Sequence, residues 1–530
     1  MPTPADHATS YDVVIVGGGH NGLTAAAYLA RAGRSVLLLE RSPHVGGATV
    51  SAPAFDGLDA RLSRYSYLVS LLPPAVINDL GLRISLRRRR YSSYTPVLGA
   101  DTGLLIDTGD PAATAASFQR VGAGADVTGW ARLSERTGTL ASVVWPSLTR
   151  PLPRRADLAR ALAATGDPDL FDDVFSRPLG ELIERHLSHD LTRGVALTDG
   201  LIGTFAAAHE PDLRHNACFV YHVIGGGTGD WDVPVGGMGQ VSDELARVAA
   251  AAGAQLRAGS EVTAVQPDRV TWRDEHTQTE HAVDARLVVW AAAPAGLDRL
   301  IGSASGPVEG AQVKVNLLLE RLPRLRETVP PAAAFGGTFH INEGYGQLQS
   351  AFERACCGAV PDPLPAEIYC HSITDPTILG PQLAERGAHT MTVFALHAPH
   401  RLVRDLSEAG HEAMRRRLER AVRDSLNSVL AEPIEPVLAT DSAGRPCVET
   451  KTTRDLEHAL AMPGGNIFHG PLTWPFLDDD EPADTPARRW GVQSALPGVL
   501  LGGAGSRRGG GVSGLGGYHA YRAALELGAN

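Results

Sequence analysis

The stretch from Tyr11 to Gly47 constrains the fold of this chain more than any other part of the sequence. It begins with Val13–Val16, a run of β-branched residues that predicts a strand buried on both faces of a parallel sheet. A helix is predicted from about His20 to Ala32, and three glycines precede or open it with the spacing G-x-G-x-x-G: Gly17, Gly19 and Gly22. A strand, a glycine-rich turn and a helix in this order predict a site for the diphosphate of a dinucleotide.

Each glycine of this motif has a separate physical role. The first allows a tight turn, the second allows the backbone to approach a diphosphate, and the third allows the helix to pack close to the strand. A second apolar strand, Val36–Leu39, leads to Glu40, where an acidic side chain accepts hydrogen bonds from ribose hydroxyls. Because this carboxylate would repel a 2′-phosphate, the residues predict FAD or NAD and exclude NADP.

A second pair of glycines lies just beyond this acid. Glu40 and Arg41 are followed after four positions by Gly46 and Gly47. This arrangement resembles the extended fingerprint of the FAD-binding glutathione-reductase-like superfamily. The resemblance implies that the second pair also approaches the diphosphate, and it favours FAD over NAD.

The chain is too long for one compact core, and with 530 residues at least two domains are expected. Glycine-rich turns and buried-strand patterns like those at the amino terminus recur late in the sequence. We therefore predict a discontinuous FAD-binding domain from residues 1–75, 230–305 and 490–530. A substrate-binding domain that includes a helical subdomain is predicted from residues 76–229 and 306–489.

Charge and hydropathy exclude several classes of protein. A net charge of −11 gives no general attraction to nucleic acid, and no nucleic-acid partner is predicted. The one dense basic run, Arg87–Arg90, is interpreted as a solvated strand edge. No run of about 18 apolar residues occurs, so no transmembrane segment is predicted. The amphipathic helical patterns leave a peripheral membrane contact open.

The cysteines indicate a reducing compartment. They are odd in number and contain no C-x-x-C pair: Cys218, Cys356, Cys357, Cys370 and Cys447. Reduced thiols in the cytoplasm are expected, and a flavin would have to exchange electrons directly with its substrate and a second partner. The polar first ten residues show no secretory signal. Only Lys314 and Lys451 are lysines among the 48 basic residues, which suggests a GC-rich bacterial coding bias.

Several glycine-rich blocks recur in the order typical of one family. They are GGGHNGL at 17–23, GGMGQVSDEL at 236–245, GAQVKVNLLLERLP at 310–323, PGGNIFHG at 463–470 and GGGVSG at 509–514. Over nearly the full length the chain resembles the phytoene-desaturase-like FAD oxidoreductases, and within them the subgroup of pyridine nucleotide-disulphide oxidoreductase domain-containing protein 2. The resemblance implies an α/β fold with a glutathione-reductase-like (Rossmann-type) FAD-binding domain and a discontinuous α+β substrate domain.

The resemblance also implies a non-covalent FAD and the residues that hold it. The adenosine diphosphate would contact Gly17, Gly19, Gly22, Glu40, Arg41, Gly46 and Gly47. Val262 would lie beside the adenine, and the ribityl chain and flavin ring would lie along Gly505, Gly511 and Val512. No metal is expected. Relatives commonly have His-Pro before the triple glycine, whereas this chain has Arg507 and Arg508.

The function implied is oxidation of a C–H-bearing organic compound. We predict an FAD-dependent oxidoreductase that dehydrogenates (desaturates) a small or medium metabolite by hydride transfer to flavin. An amine or amino-acid-derivative oxidase that uses oxygen is one alternative. A catalytically silent FAD-binding scaffold is another. The electron acceptor, whether oxygen, a quinone or another carrier, and the oligomeric state are left open by the sequence.

Catalytic candidates follow from residue type and from resemblance. Lys314 lies in a segment that resembles the strand of flavin amine oxidases that places a lysine near flavin N5, with a strand-edge lysine as the alternative. The guanidiniums of Arg507 and Arg508 are candidates for steadying the reduced flavin or for binding a substrate carboxylate, with surface ion pairs as the alternative. Four histidines are candidate bases by type, and spacing singles out none: His222, His340, His371 and His397.

Overall fold

A first sheet contains the amino-terminal strand. The computed structural model describes residues 9–528, so residues 1–8 of the polar stretch that argued against a secretory signal lie outside the described residues. In spatial order the strands of this first sheet are Ser260–Gln266, Arg269–Asp274, Glu280–Trp290, Ser10–Val16, Val36–Leu39 and Gln255–Arg257. Val499–Leu501 pairs in parallel with the end of Glu280–Trp290. All seven strands fall within the segments predicted for the FAD-binding domain.

The centre of the first sheet is parallel and buried. Ser10–Val16 pairs in parallel with Glu280–Trp290 on one side and with Val36–Leu39 on the other. Their apolar side chains face two cores, one of which includes the helix His20–Arg31. That helix packs against two further helices, Gly239–Ala251 and Leu515–Glu526. Because the central strands are parallel, their carboxyl ends meet at one edge of the sheet.

A second sheet lies in the part of the chain predicted to bind substrate. Its spatial order is Val448–Lys451, Val313–Leu319, His389–Ala395, Ala366–Tyr369, Thr338–Ile341, Tyr91–Pro96 and Gly103–Asp107. The long helix Glu408–Asn427 contributes Leu418, Val422 and Leu426 to the core of this sheet. The helix begins where the Ser407 hydroxyl accepts a hydrogen bond from the Gly410 amide.

A helical region lies between the strands Gly103–Asp107 and Val233–Pro234 along the chain. Its helices are Pro111–Arg120, Val127–Val144, Arg155–Ala163, Leu170–Phe175, Leu179–His186, Asp190–Thr198 and Arg214–Val223. The carboxylate of Asp173 is fully buried and forms ion pairs with Arg136, Arg177 and Arg185. These ion pairs connect three of the helices and a following turn around a common apolar core.

The remaining elements are short. Two short antiparallel pairs join Ser51–Pro53 to Arg61–Ser63 and Leu86–Arg87 to Val233–Pro234. The other helices are Pro74–Leu80, Pro294–Leu300, Pro331–Ala334, Tyr345–Cys356, His371–Thr374, Pro381–Glu385, Thr453–Leu460 and Pro486–Trp490. All five cysteines are free thiols. Between residues 9 and 528, no helix has both the length and the apolar character needed to cross a bilayer.

Candidate active site

A cavity of about 600 Å³ opens at the carboxyl ends of the central strands of the first sheet. Val16, Leu39 and Trp290, each the last residue of its strand, line its wall. The wall continues to Lys314 and Phe394 of the second sheet. The cavity therefore joins the predicted dinucleotide motif to the part of the chain predicted to bind substrate.

The three glycines of the first motif meet different surroundings. Gly17 has a φ of +106°, and a side chain there would meet the backbone of Ala292. A Cβ on Gly22 would lie 2.0 Å from the carbonyl oxygen of Gly17, so the helix contacts the turn without room for a methyl group. A Cβ on Gly19 would have no atom within 4 Å, and Gly19 lines the cavity. The second glycine is thus the one that leaves space for a ligand.

The second glycine pair lies against the first motif. Gly46 has a φ of +124°, and its amide donates a hydrogen bond to the carbonyl oxygen of Gly18 at 2.8 Å. Gly47 lines the cavity, and a Cβ there would lie 3.1 Å from the Cα of Gly19. Both positions need glycine because of a left-handed backbone and a close approach between the two turns.

Polar groups at the far end of the cavity suit an adenosine. Glu40 lines the wall, and its carboxylate accepts hydrogen bonds from the amides of Gly18 at 2.7 Å and Ser42 at 2.8 Å. A carboxylate has about four acceptor positions, so these two bonds leave capacity for ribose hydroxyls. Arg41 and Val262 also line this end, and Arg41 Nη2 donates to the carbonyl oxygen of His458 at 3.3 Å.

The carboxyl-terminal glycine segment closes the opposite side. Gly511 and Val512 line the cavity, and His20 Nε2 donates to the carbonyl oxygen of Gly511 at 3.0 Å. Gly505 follows a lining residue and has its Cα against Pro294, since a Cβ there would lie 2.4 Å from Pro294 Cδ. This segment is thereby held beside the amino-terminal end of the helix His20–Arg31.

These features fit FAD. Gly19 offers an open cradle at a helix amino terminus, where unpaired N–H groups and the helix dipole favour a diphosphate. Glu40 offers acceptors for a ribose, and the cavity extends far beyond these residues toward an apolar, aromatic wall. An elongated dinucleotide with an aromatic ring system at its far end matches this succession of polar and apolar surfaces.

Lys314 lies inside the protein. Its strand, Val313–Leu319, pairs with neighbours on both sides, so the alternative of a strand-edge lysine is wrong. The ammonium lines the cavity and donates hydrogen bonds to the carbonyl oxygens of Ser63 at 2.8 Å and Tyr65 at 2.7 Å. It lies 5.2 Å from the ring centroid of Tyr67. Burial lowers the pKa of Lys314 well below its usual value.

A second chamber of about 240 Å³ adjoins the cavity. Five residues line both spaces: Tyr67, Leu68, Ile202, His222 and Trp231. Rings dominate this shared wall, with the ring centroids of His222 and Trp231 5.1 Å apart and stacked. The second chamber itself is lined by ionisable groups that no sequence motif identified: Arg89, Asp199 and Glu367.

The candidate histidines lie in different places. His222 is on the shared wall and His340 lines the second chamber. His371 is stacked behind Tyr67, with ring centroids 6.1 Å apart. His397 is buried near Phe205, away from both spaces. Burial lowers the pKa of His371 and of His397 to about 3, so both rings are neutral at pH 7.

The two consecutive arginines do not line the cavity or the second chamber, which corrects the interpretation of them as flavin or carboxylate ligands. Arg508 is 2% exposed and donates to the carbonyl oxygens of Ser147 at 3.1 Å and Arg150 at 2.9 Å. Arg507 pairs with Glu481 at 3.1 Å. Both guanidiniums bond to the protein, because the surrounding loops present carbonyl oxygens and a carboxylate to them, although Arg508 Nε is buried without a hydrogen-bond partner among the described residues.

The basic run also needs a correction. Arg88 and Arg90 form ion pairs at the surface, as expected of a solvated edge. Arg89 instead turns inward, where its Nε donates to the carbonyl oxygen of Trp231 at 3.2 Å and its Nη1 to Thr338 Oγ1 at 3.1 Å. Burial lowers the pKa of Arg89. One residue of an apparently uniform charged run is therefore part of the second chamber.

Comparison with known proteins supports a flavoprotein assignment. Residues 15–75 match a family model described as an NAD(P)-binding Rossmann-like domain. An uncharacterized protein of Mycobacterium tuberculosis is 50% identical over 531 residues, which cover 98% of each chain. Pyridine nucleotide-disulfide oxidoreductase domain-containing protein 2 of Rattus norvegicus is 28% identical, over 96% of this chain and 92% of the rat protein.

Solved structures share the fold. A cofactor-binding mutant of putrescine oxidase is 18% identical and superposes with a TM-score of 0.58, over 98% of this chain and 99% of the oxidase. Cyclohexylamine oxidase from Brevibacterium oxydans is 16% identical, with a TM-score of 0.53 over 98% of each chain. These likenesses confirm the predicted fold class, a mixed α/β architecture with a Rossmann-type nucleotide-binding unit.

Proposed function

This chain belongs to the family of FAD-dependent oxidoreductases that includes pyridine nucleotide-disulfide oxidoreductase domain-containing protein 2, and from this premise we propose that it dehydrogenates a small or medium organic metabolite. The observation that carries the proposal is one continuous cavity, whose wall runs from Gly19 and Glu40 to Tyr67, Lys314 and Phe394. FAD, when bound, supplies the acceptor for a hydride from a substrate C–H bond. The protein's task is then to hold the substrate and accept its proton.

We propose that His222 accepts the proton that the substrate loses. Its Nδ1 donates a hydrogen bond to the carbonyl oxygen of Cys218 at 2.8 Å, which fixes the tautomer and leaves the lone pair on Nε2. Burial lowers the pKa of His222 to about 4, so the ring is a neutral acceptor at pH 7. The substrate loses one hydrogen as a hydride and an adjacent proton to His222 Nε2, and a double bond forms between the two atoms.

Lys314 has a different role in this proposal. Its ammonium is held by two carbonyl oxygens and faces the cavity, so it is positioned to keep one water or one polar substrate atom in place. A compact ammonium suits this position because a planar guanidinium needs more room and more hydrogen-bond acceptors. The assignment of FAD contacts to the glycines, Glu40, Arg41, Val262 and the carboxyl-terminal segment is part of the same proposal.

The test follows the absorbance of the bound flavin under anaerobic conditions. Fractions of a bacterial metabolite extract are mixed with the protein, and the compound that changes as the flavin bleaches is identified. His222→Asn should slow bleaching by about 10²–10⁴-fold while the FAD content is kept. His209→Asn, at an exposed ion pair with Glu184, is the matched control. An unchanged bleaching rate in His222→Asn rejects the proposed base.

Two results would favour the alternatives. A burst of peroxide when the reduced protein meets air would indicate an oxidase rather than a dehydrogenase. If no metabolite fraction bleaches the flavin, and dithionite bleaches it only as the protein unfolds, the chain is a silent scaffold. An oxidase that acts on amines is the second candidate function, favoured by the ionisable groups of the second chamber and by the fold that this chain shares with putrescine oxidase.

A further inference from the structure

The second chamber is built from three separate elements. Asp199 follows the helix Asp190–Thr198 as its C-cap residue, at the negative end of the helix dipole. His340 and Glu367 lie directly opposite each other on the neighbouring strands Thr338–Ile341 and Ala366–Tyr369. All three side chains line the chamber. Sequence distance between them is large, so the chamber exists only in the folded protein.

A fourth ionisable group lies behind this wall. Glu343 is 1% exposed, and its Oε2 accepts a hydrogen bond from His340 Nδ1 at 2.6 Å. Its other oxygen, Oε1, is buried and has no hydrogen-bond partner among the described residues. Ligand atoms of His340, Glu343 and Glu367 all lie within 4.8 Å of one another. An unpaired buried carboxylate oxygen is costly, so this cluster lacks a hydrogen-bond donor.

The charges of the chamber do not balance. Two carboxyl groups in the wall, those of Asp199 and Glu367, and that of Glu343 behind it accompany one buried guanidinium, that of Arg89. The rim pair Arg88 and Asp230 adds one charge of each sign. Burial raises the pKa of Asp199 to about 6 and that of Glu367 to about 7, and it raises the pKa of Glu343. The carboxyl groups thus resist ionisation because burial removes the water that would stabilise their charge, and nearby cationic groups offset this only in part. A ligand that brings positive charge would complete the set.

The shape of the chamber favours an organic cation over a metal ion. A volume of about 240 Å³ is several times the roughly 30 Å³ occupied by one water molecule, and it continues into an apolar cavity. His340 Nδ1 is already bonded to Glu343 Oε2, so only the Nε2 atom of His340 remains for a further ligand. The rings of Tyr67 and Tyr369, with centroids 4.5 Å apart, pack against each other in the wall of the chamber.

We propose that the second chamber binds the ammonium end of a substrate whose apolar chain passes the shared aromatic wall into the FAD cavity. The acceptors are the carboxylates of Asp199 and Glu367, with Glu343 behind them. This inference rests on the proposed function for the identity of the cavity as the reaction site. It names the substrate class as a molecule with an apolar chain and a cationic end, opposite in sign to the carboxylate considered from Arg507 and Arg508.

Proton release is the distinctive consequence. The ionisable groups that line the chamber are Asp199, Glu367, His340, Tyr369, Tyr67, Tyr91, Arg89, His222 and the rim pair Arg88 and Asp230, with Glu343 behind them. A cation lowers the pKa of the neighbouring carboxyl groups, so binding near pH 6.5 should release protons to the buffer. Release from Asp199 and Glu367 should vanish well above pH 8, because these two carboxyl groups are then ionised before binding.

The test is isothermal titration calorimetry on the oxidised, FAD-loaded protein under anaerobic conditions. The probes are n-hexylamine, 1-hexanol and hexanoate, each measured in two buffers with different enthalpies of ionisation. We expect hexylammonium to bind at least tenfold more tightly than either other probe and to release protons near pH 6.5. Glu367→Gln should weaken hexylammonium binding at least tenfold, whereas Asp212→Asn, at an exposed ion pair with Arg214, should not.

Several outcomes would overturn the inference. Tighter binding of hexanoate than of hexylammonium would show that the chamber selects anions and not cations. Proton release with manganese chloride but none with hexylamine would show a metal site instead. An unchanged affinity for hexylammonium in both Glu367→Gln and Asp199→Asn would show that hexylammonium binds outside the chamber. The proton count in the unmodified protein needs no variant, and calorimetry needs no turnover, so failure here leaves the flavin-bleaching test of the proposed function unaffected.

Discussion

Two glycines of the same motif should fail in different ways when they are changed to alanine. In Gly22→Ala the new methyl group would lie 2.0 Å from the carbonyl oxygen of Gly17, which is 1.4 Å inside the 3.4 Å at which ordinary contact begins. The obstacle is backbone, which cannot rotate away as a side chain can. Overpacking of this kind costs about 1–3 kcal/mol. A helical Gly→Ala change gains up to about 1 kcal/mol, which offsets only part of this cost.

Gly19→Ala meets no such obstacle in the protein. No atom lies within 4 Å of the added Cβ, and the backbone angles of Gly19, φ −71° and ψ 173°, are accessible to alanine. The free energy of unfolding without FAD should therefore change by less than about 1 kcal/mol. The methyl group would instead occupy space beside the helix amino terminus, where the diphosphate of FAD is proposed to bind. We expect this variant to fold and to lose FAD.

The assay measures two quantities on each variant: the urea midpoint of the flavin-free protein and the FAD bound per chain after reconstitution. Gly22→Ala should lower both, whereas Gly19→Ala should lower only the second. Gly138→Ala is the control, since Gly138 is half-buried inside the helix Val127–Val144 and an added Cβ there would have no atom within 4 Å. This change should stabilise the protein by about 0.5–1 kcal/mol. Normal FAD content in Gly19→Ala, or equal destabilisation by both changes, would refute the reasoning.

Three further predictions concern buried charges. Lys314→Met should leave the carbonyl oxygens of Ser63 and Tyr65 without their donor and should slow flavin reduction or reoxidation. Lys314→Arg is the companion variant. Unchanged rates of both reactions in Lys314→Met would show that Lys314 has only a structural role. Arg508→Met should lower the midpoint of thermal unfolding, because the guanidinium bonds main-chain carbonyl oxygens. The preference of the enzyme between an acid and its methyl ester should not change. A loss of activity on the acid alone would restore the interpretation of Arg508 as a ligand of a substrate carboxylate. Burial raises the pKa of Glu367 from 4.5 to about 7, so between these pH values the folded state holds a proton that the unfolded state has lost. The free energy of unfolding therefore falls as the pH rises from 4.5 to 7. Urea titrations should show a smaller fall in Glu367→Gln, and an equal fall in both proteins would contradict the raised pKa.

Some elements of the fold were readable in the sequence to the residue. The strand Val36–Leu39 occurs with the predicted bounds, because a continuous apolar run between polar or glycine-rich turns leaves little choice of register. The helix predicted from about His20 to Ala32 ends at Arg31, since helix ends depend on capping contacts that the pattern does not show. The domain boundaries stay a prediction.

The sequence by itself determined the dinucleotide motif and the fold class. The demands made there are local: a left-handed φ at Gly17, an open Cβ direction at Gly19 and a tight helix contact at Gly22 concern neighbouring backbone atoms. Such demands restrict residue type at fixed spacing, so they can be recognised from the chain alone.

Only the tertiary structure decided where the charges lie. Nothing near Arg508 in the sequence indicates that its guanidinium reaches the carbonyl oxygens of a distant loop around residue 150. Nothing joins Arg89, Asp199 and Glu367 before three elements pack around one chamber. The pairing and the pKa of a buried charge depend on which groups folding brings within a few ångströms and on how much water it removes, and neither is set by neighbours along the chain.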